Sequence, residues 1–221
     1  AYISSHNLRA PVVNLISLTE LQQENSLPQE LQDEIRQNIY DCVRQLDNTL
    51  NDLVEIVASQ SGKSAKSEDL DLQTELNMVI KTIENQIRNS GAEIVVNFEK
   101  DLKIHFPRHY LHSILVNLFT NAIKYKSKDR KLVITLKTRE DKEYTQLFFS
   151  DNGIGINLDK YGNKIFGLYQ RFHTTIEGKG LGLYIIKSQI EAMDGKIEVD
   201  SLPDVGTTFR IYFKKHKITL T

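Results

Sequence analysis

The chain has 221 residues and a mass of 25.4 kDa, enough for one large or two modest domains. A chain of that size buries roughly 70% of the surface its unfolded form exposes. With 40% hydrophobic and 26% charged residues it has ordinary globular composition, which excludes disordered, collagen-like and low-complexity chains. Lys and Arg number 28 against 29 Asp and Glu, so at a formal charge of -1 no global field draws nucleic acid or anionic lipid, and no nucleic-acid partner is expected.

A single cysteine, Cys42, forms no intrachain disulfide, and no Cys/His cluster has zinc spacing, so a reducing, cytoplasmic setting is expected. The longest apolar stretch, Leu111 to Ile123, is interrupted by His112, Asn117 and Asn121, and no targeting segment opens the chain. Because it begins at Ala1 and enters a helical pattern at once, the chain reads as a fragment whose upstream part is missing. A membrane anchor in the full-length protein is left open.

From Tyr2 to Ser59 there is no Gly and apolar residues recur at helical spacing, which predicts an antiparallel helical hairpin. Its break is Glu24 to Pro28, with Ser26 as N-cap, Pro28 in the first turn and Glu30 beside the helix start. In the second helix Ile35, Cys42, Thr49 and Ile56 lie seven apart, as do Ile39, Leu46 and Leu53, a heptad seam. Two helices alone bury little, so residues 1–59 are expected to pair with a second copy as a four-helix bundle. Residues 60–69, small and charged, read as a linker, leaving 70–221 as a second domain.

In that domain the pattern predicts a helix over 72–89, a strand over 93–98 and a helix over 107–125. Strands over 131–139 and 143–150 follow, joined by the polar turn Glu140-Asp141-Lys142. A long glycine-rich loop spans 151–180, then a helix 181–193 and strands 196–201 and 207–213. The order indicates an α+β fold, helices on one face of a sheet.

Four constellations carry chemistry. In Ser5-His6-Asn7-Leu8-Arg9-Ala10-Pro11, a buried stripe through Leu8, Val12 and Leu15 puts His6 on the opposite, solvent side, and Pro11 costs roughly 3 kcal/mol as a mid-helix kink. Taken alone, His6 is a surface histidine and Pro11 a kink that fits the bundle. Asn117, Asn121 and Lys124 fall at i, i+4 and i+7, so two carboxamides and an ammonium share one helix face. A carboxamide ligates Mg²⁺ without adding negative charge near a polyphosphate, while Lys adds a positive point charge; the plain alternative is a polar solvent face.

Asp151-Asn152-Gly153-Ile154-Gly155-Ile156 follows a strand, where glycines admit a flat ligand and a strand-end carboxylate accepts from an exocyclic amine; a tight turn reads the same. Gly178-Lys179-Gly180-Leu181-Gly182-Leu183 enters a helix whose N–H groups and dipole favour an anion, although a flexible loop also looks like this. Asp151 and Gly178 flank one long loop, a candidate lid.

Taken in order, S-H-N-L-R-A-P, N-L-F-T-N-A-I-K-Y, D-N-G-I-G-I, I-F-G-L-Y-Q-R-F and G-K-G-L-G-L-Y-I-I-K resemble the H, N, first glycine, phenylalanine and second glycine boxes of the sensor histidine kinases of two-component signalling. The resemblance spans nearly the whole chain. It implies a dimerisation and phosphotransfer hairpin followed by an α/β-sandwich ATP-binding domain of the GHKL, or Bergerat, type. It implies His6 as phosphoacceptor, Asn121 as ligand of Mg²⁺ and Lys124 as a phosphate contact, with Tyr125 beside them. By the same resemblance Asp151 bonds the adenine amino group near Gly153, Gly155 and Thr208; Gly178, Lys179, Gly180, Leu181 and Gly182 line the phosphates; and Phe166 and Phe172 anchor the lid.

The resemblance further implies ATP as phosphoryl donor, a response-regulator receiver domain as acceptor, and a sensor domain upstream. In the related gyrase and chaperone ATPases a Glu stands where this chain has Asn117, and an amide cannot serve as a base. Asn7 departs from the acidic residue that usually follows the histidine: it accepts a hydrogen bond but no proton. The alternative it motivates is a degenerate kinase acting as a nucleotide-binding dimeric interaction module. A related ATPase without a His acceptor is disfavoured by Asn117. Phosphatase activity, for which the family pattern wants an acidic residue at 7 and Thr or Asn at 10, is left open by Asn7 and Ala10.

Overall fold

The computed structural model describes residues 2–22, 28–60, 65–100, 102–170 and 180–215, with backbone alone for 2–10, 44, 45, 47–60 and 163. Its contacts divide into two compact units, Ala1–Ala58 and Ser59–Thr221.

The first unit is two helices, α1 (Tyr2–Gln22) and α2 (Gln29–Gln60), with Pro11 inside α1 and Glu30 in the first turn of α2. Ser26 and the rest of the predicted break up to residue 27 lie outside the described residues. Ile35 is buried and Ile39, Cys42 and Leu46 are half-buried, so the described part of the heptad seam does face inward. On α1 the predicted stripe is corrected: Pro11 is buried, Leu15 and Leu18 are half-buried, and Val12 is 40% exposed. The inward stripe at i, i+4 and i+7 therefore runs through Pro11, Leu15 and Leu18, rotated by about 60° from the expected one and sharing Leu15 with it. Leu8 has no described side chain.

The second unit contains β1 (Glu68–Asp71), α3 (Leu72–Thr82), α4 (Glu84–Ser90), β2 (Glu93–Asn97), β3 (Lys103–Phe106), α5 (Arg108–Lys124), β4 (Val133–Glu140) and β5 (Tyr144–Asp151). Then come α6 (Leu158–Tyr161), a 3-10 turn (Gly162–Lys164), α7 (Gly182–Glu191), β6 (Lys196–Leu202) and β7 (Gly206–Lys214). The main sheet has the order β2-β4-β5-β7-β6, with only the β2–β4 pair parallel.

Strand alternation sends Ile134, Leu136, Leu147, Phe149, Phe209 and Ile211 to one face, all at most 5% exposed, where they join Leu111, Leu115, Leu118 and Phe119 of α5 and Ile186 and Ile190 of α7 in one core. Phe119 meets Phe149 edge-on, with ring centroids 5.0 Å apart. Sheet and helices thus form the expected α+β sandwich.

Three expectations change. The helix over 72–89 is broken at Ile83, whose φ of -109° and ψ of 20° end α3 while its side chain is buried. Glu68 and Asp69, placed in the linker, begin β1, which pairs antiparallel with β3 as a separate two-stranded sheet. Leu70, Leu72, Ile104 and Phe106 bury that small sheet in the core. The loop after Asp151 holds α6 and the 3-10 turn. Among the described residues no helix is long and apolar enough to cross a membrane.

Candidate active site

Two helix ends build the phosphate side of the site. Asn117 and Asn121 stand one turn apart on α5, both half-buried, and the start of α7 lies against them. A β-carbon added to Gly182 would stand 2.8 Å from Asn117 Oδ1 and 3.7 Å from Asn121 Nδ2. Only a residue without a side chain lets the α7 N-terminus come this close.

Asn117 Nδ2 donates to the Ser113 carbonyl at 3.0 Å, which fixes the amide and turns its oxygen toward α7. One turn away, Gln189 Nε2 reaches Ser113 Oγ at 3.2 Å, a polar tie between the two helices. No acidic residue sits in the first turn of α7 and no side chain at its N-cap closes it, so the positive end of its dipole favours an anion. Half-buried Lys124 ends α5, with Nζ 4.9 Å from the Tyr125 ring centroid. Amide oxygens, an ammonium and a bare helix N-terminus make a donor set that suits a polyphosphate with a hard cation.

The base side is the turn after β5. Gly153 N–H donates to Asp151 Oδ1 at 2.8 Å, and Ile154 N–H donates to the Tyr125 carbonyl at 2.9 Å, tying the turn to the end of α5. Asn152 is spent on structure: its Oδ1 accepts from Val133 N–H at 2.8 Å and its Nδ2 donates to the Lys131 carbonyl at 3.0 Å. Gly155 has φ +66°, and a β-carbon there would run into the Leu202 carbonyl. Burial pushes the Asp151 carboxyl up to about 6, against the hydrogen bonds it accepts from the Gly153 and Thr207 N–H groups and the nearby Arg130 charge. At neutral pH it is a half-buried anion that accepts from the Gly153 and Thr207 N–H groups and can accept further from an N–H group of a ligand.

Cross-strand pairing sorts the threonines. Asp151 pairs with Thr207, and both face the helices; Thr208 pairs with Ser150 and Asp200 and faces the outer side of the sheet. Thr208 Oγ1 lies 2.9 Å from Ser150 Oγ, whereas buried Thr207 shares a hydroxyl contact of 2.9 Å with Ser201. The structure thus sets Thr207, not Thr208, beside Asp151, a one-residue difference visible only once strand register is known.

At the lid, Phe166 packs on the core with Lys187 Nζ 5.6 Å from its ring centroid, and buried Leu181 precedes α7. Gly180, with φ +69°, lies against the backbone of Tyr169 and Gln170, so the two described ends of the lid meet. Phe172, Gly178 and Lys179 lie outside the described residues. His6 and Asn7 lie within α1, without described side chains. Sequence reasoning missed Thr207, Arg130 and the Ser113–Gln189 pair, none of which lies at a spacing that marks it, and gave no role to Asn152 although it stands inside the first glycine motif.

A helix-covered mixed sheet with a strand-end carboxylate on one side and facing amides at a helix N-terminus on the other defines a nucleotide-binding α/β-sandwich ATPase domain. Residues 107–217 match the family described as histidine kinase-, DNA gyrase B-, and HSP90-like ATPase, and the chain belongs to that family.

Histidine protein kinase SaeS of Staphylococcus aureus strain USA300 is 28% identical over 222 residues, covering 97% of this chain. The chain spans 63% of the length of that relative. The fold is similar to Acinetobacter baumannii histidine kinase AdeS, with TM-score 0.70 at 18% identity over 95% of this chain and 97% of that one. It is also similar to histidine kinase ThkA in complex with response regulator TrrA, with TM-score 0.66 at 18% identity over 96% of this chain and 60% of that one.

Proposed function

We propose that the chain is the catalytic core of a sensor histidine kinase that phosphorylates its own His6 from ATP and passes the phosphoryl group to an aspartate of a response-regulator receiver domain. Residues 1–59 form the dimerisation and phosphotransfer hairpin, the segment up to residue 67 links it to the ATP-binding domain, and that domain begins with β1 at Glu68. The active core is read as cytoplasmic. The observation that carries this reading is Asn117, fixed with its amide oxygen toward the start of α7. A carboxylate there could take a proton from water; the amide cannot, so the site protects ATP for transfer rather than hydrolysing it.

Asp151 accepts from the adenine amino group, with Thr207 on the same sheet face. Lys124 and the α7 N-terminus hold the phosphates, with Gly178, Lys179, Gly180, Leu181 and Gly182 assigned to line them. Asn121 would hold Mg²⁺, which would neutralise charge on the phosphates. In the transfer, a ring nitrogen of neutral His6 attacks the γ-phosphorus in line; the N–P bond forms, the bond to the bridging oxygen breaks, and ADP leaves with that electron pair. Asn7 orients the other ring N–H, and because an amide takes no proton, that proton passes to water.

The test is incubation with γ-labelled ATP and Mg²⁺, wild type beside His6→Gln. Acid-labile, alkali-stable label absent from the variant is expected. No label despite measured ATP binding would instead favour the dimeric interaction module that Asn7 motivates.

A further inference from the structure

One positively charged side chain is committed to the turn that carries Asp151. Arg130, half-buried in the segment before β4, donates Nε to the Asn152 carbonyl and Nη2 to the Gly153 carbonyl, both at 2.6 Å. The planar fork matches two successive carbonyls, which an ammonium cannot do. The geometry points to Arg130 as the positioning residue that sets base selectivity: it fixes the Asp151 turn and holds the carboxylate as an acceptor, so that the site takes adenine and refuses guanine. This deepens the ATP reading above and rests on it.

The chemistry follows from what each purine presents at its sixth position. Adenine offers an amino donor there and guanine a carbonyl acceptor. An ionised carboxylate accepts from the first and repels the second; a protonated one can donate to the guanine oxygen. Which form Asp151 takes is therefore a choice between bases. Its burial favours the protonated form and the carboxyl titrates at about 6, close enough to neutrality for one neighbouring charge to matter. Among the described residues Arg130 is the charged side chain whose field reaches it; the other groups acting on it are the neutral N–H groups of Gly153 and Thr207.

The test is calorimetric titration of the whole chain with ADP and with GDP between pH 5.5 and 8, for wild type, Arg130→Gln, Arg130→Lys and Asp151→Asn, with melting temperatures recorded for each. Wild type should prefer ADP strongly at pH 8 and lose that preference toward pH 5.5. In Arg130→Gln the midpoint of that loss should move to higher pH, so that the ADP/GDP ratio at pH 6.5 falls below that of wild type. Arg130→Lys should return the midpoint toward wild type while both nucleotides bind more weakly. Equal weakening of ADP and GDP in Arg130→Gln, with the pH midpoint unmoved, would overturn the proposal and leave Arg130 a loop brace. Unchanged ADP affinity in Asp151→Asn would overturn the adenine reading itself, a result distinct from the first.

Discussion

Asp151 is held in a state that costs the empty domain stability. Its carboxyl is raised from an ordinary 3.8 to about 6 by burial, so the folded protein prefers the protonated form. The stabilising contribution is complete below pH 3.8 and is lost as pH rises through about 6, a swing of about 3 kcal/mol for a shift of this size. Asp151→Asn should therefore unfold later than wild type above pH 6, by about 1–3 kcal/mol in the absence of nucleotide, and should show no such gain at pH 4. The same variant should lose most ADP binding. Chemical denaturation at the two pH values, with and without ADP, checks both halves.

Gly182→Ala is the companion case. Alanine is worth about 1 kcal/mol more than glycine in a helix, but here its methyl would stand 2.8 Å from Asn117 Oδ1. Stability should change by no more than about 1 kcal/mol while ADP affinity falls at least about tenfold, read by calorimetry. Residues such as Asp151 and Gly182 were legible because their motifs are local. Thr207 was not, because choosing it over Thr208 requires the register of β5 against β7; nor was Arg130, whose target carbonyls lie 22 and 23 residues away.

At the scale of elements, the helices and main-sheet strands of the second unit could be read because each carries a sustained period of 3.6 or 2. All lie within two residues of their predicted bounds except the helix interrupted at Ile83 and the short α6, which falls inside the predicted loop. That break has no Gly or Pro to announce it; a buried isoleucine ends the helix by where its side chain must go. β1 was hidden for a different reason. Its sequence Glu-Asp-Leu-Asp is acidic enough to pass for linker, and only pairing with β3 makes it a strand.

Leu70 alone ties that strand into the core, at 1% exposed, while its neighbour Asp69 points outward at 72%. Leu70→Ala should destabilise the catalytic unit by about 2–4 kcal/mol in urea unfolding, against at most about 0.5 kcal/mol for Asp69→Ala. Equal small losses would mean that β1 is an ordered linker rather than part of the domain.

For the whole molecule, the two units differ in how completely each buries its own apolar residues. The second has a continuous core running from Leu70 to Phe213. The first leaves Val12, Val13, Ile16, Leu31, Tyr40 and Val43 at least 40% exposed, although it contains the buried Ile35. A hairpin with that much uncovered apolar surface gains stability from a second copy, and a dimer's stability depends on protein concentration. Heating the chain should therefore give two transitions, the lower one rising with concentration and the upper one indifferent to it. ADP at about 100 times its dissociation constant adds about 2.7 kcal/mol to the state that binds it, enough to raise the upper transition by roughly 5–10 °C. The exposed surface has a second use if His6 is the phosphoacceptor, because a receiver domain must reach it over α1. Val13 is 52% exposed and one helical turn further along α1 than Arg9, so Val13→Glu should slow phosphotransfer to the receiver while leaving ADP binding intact. Equal losses in both measurements would place the defect in folding of the hairpin, and a shift of the lower thermal transition in the same variant would place it in dimerisation.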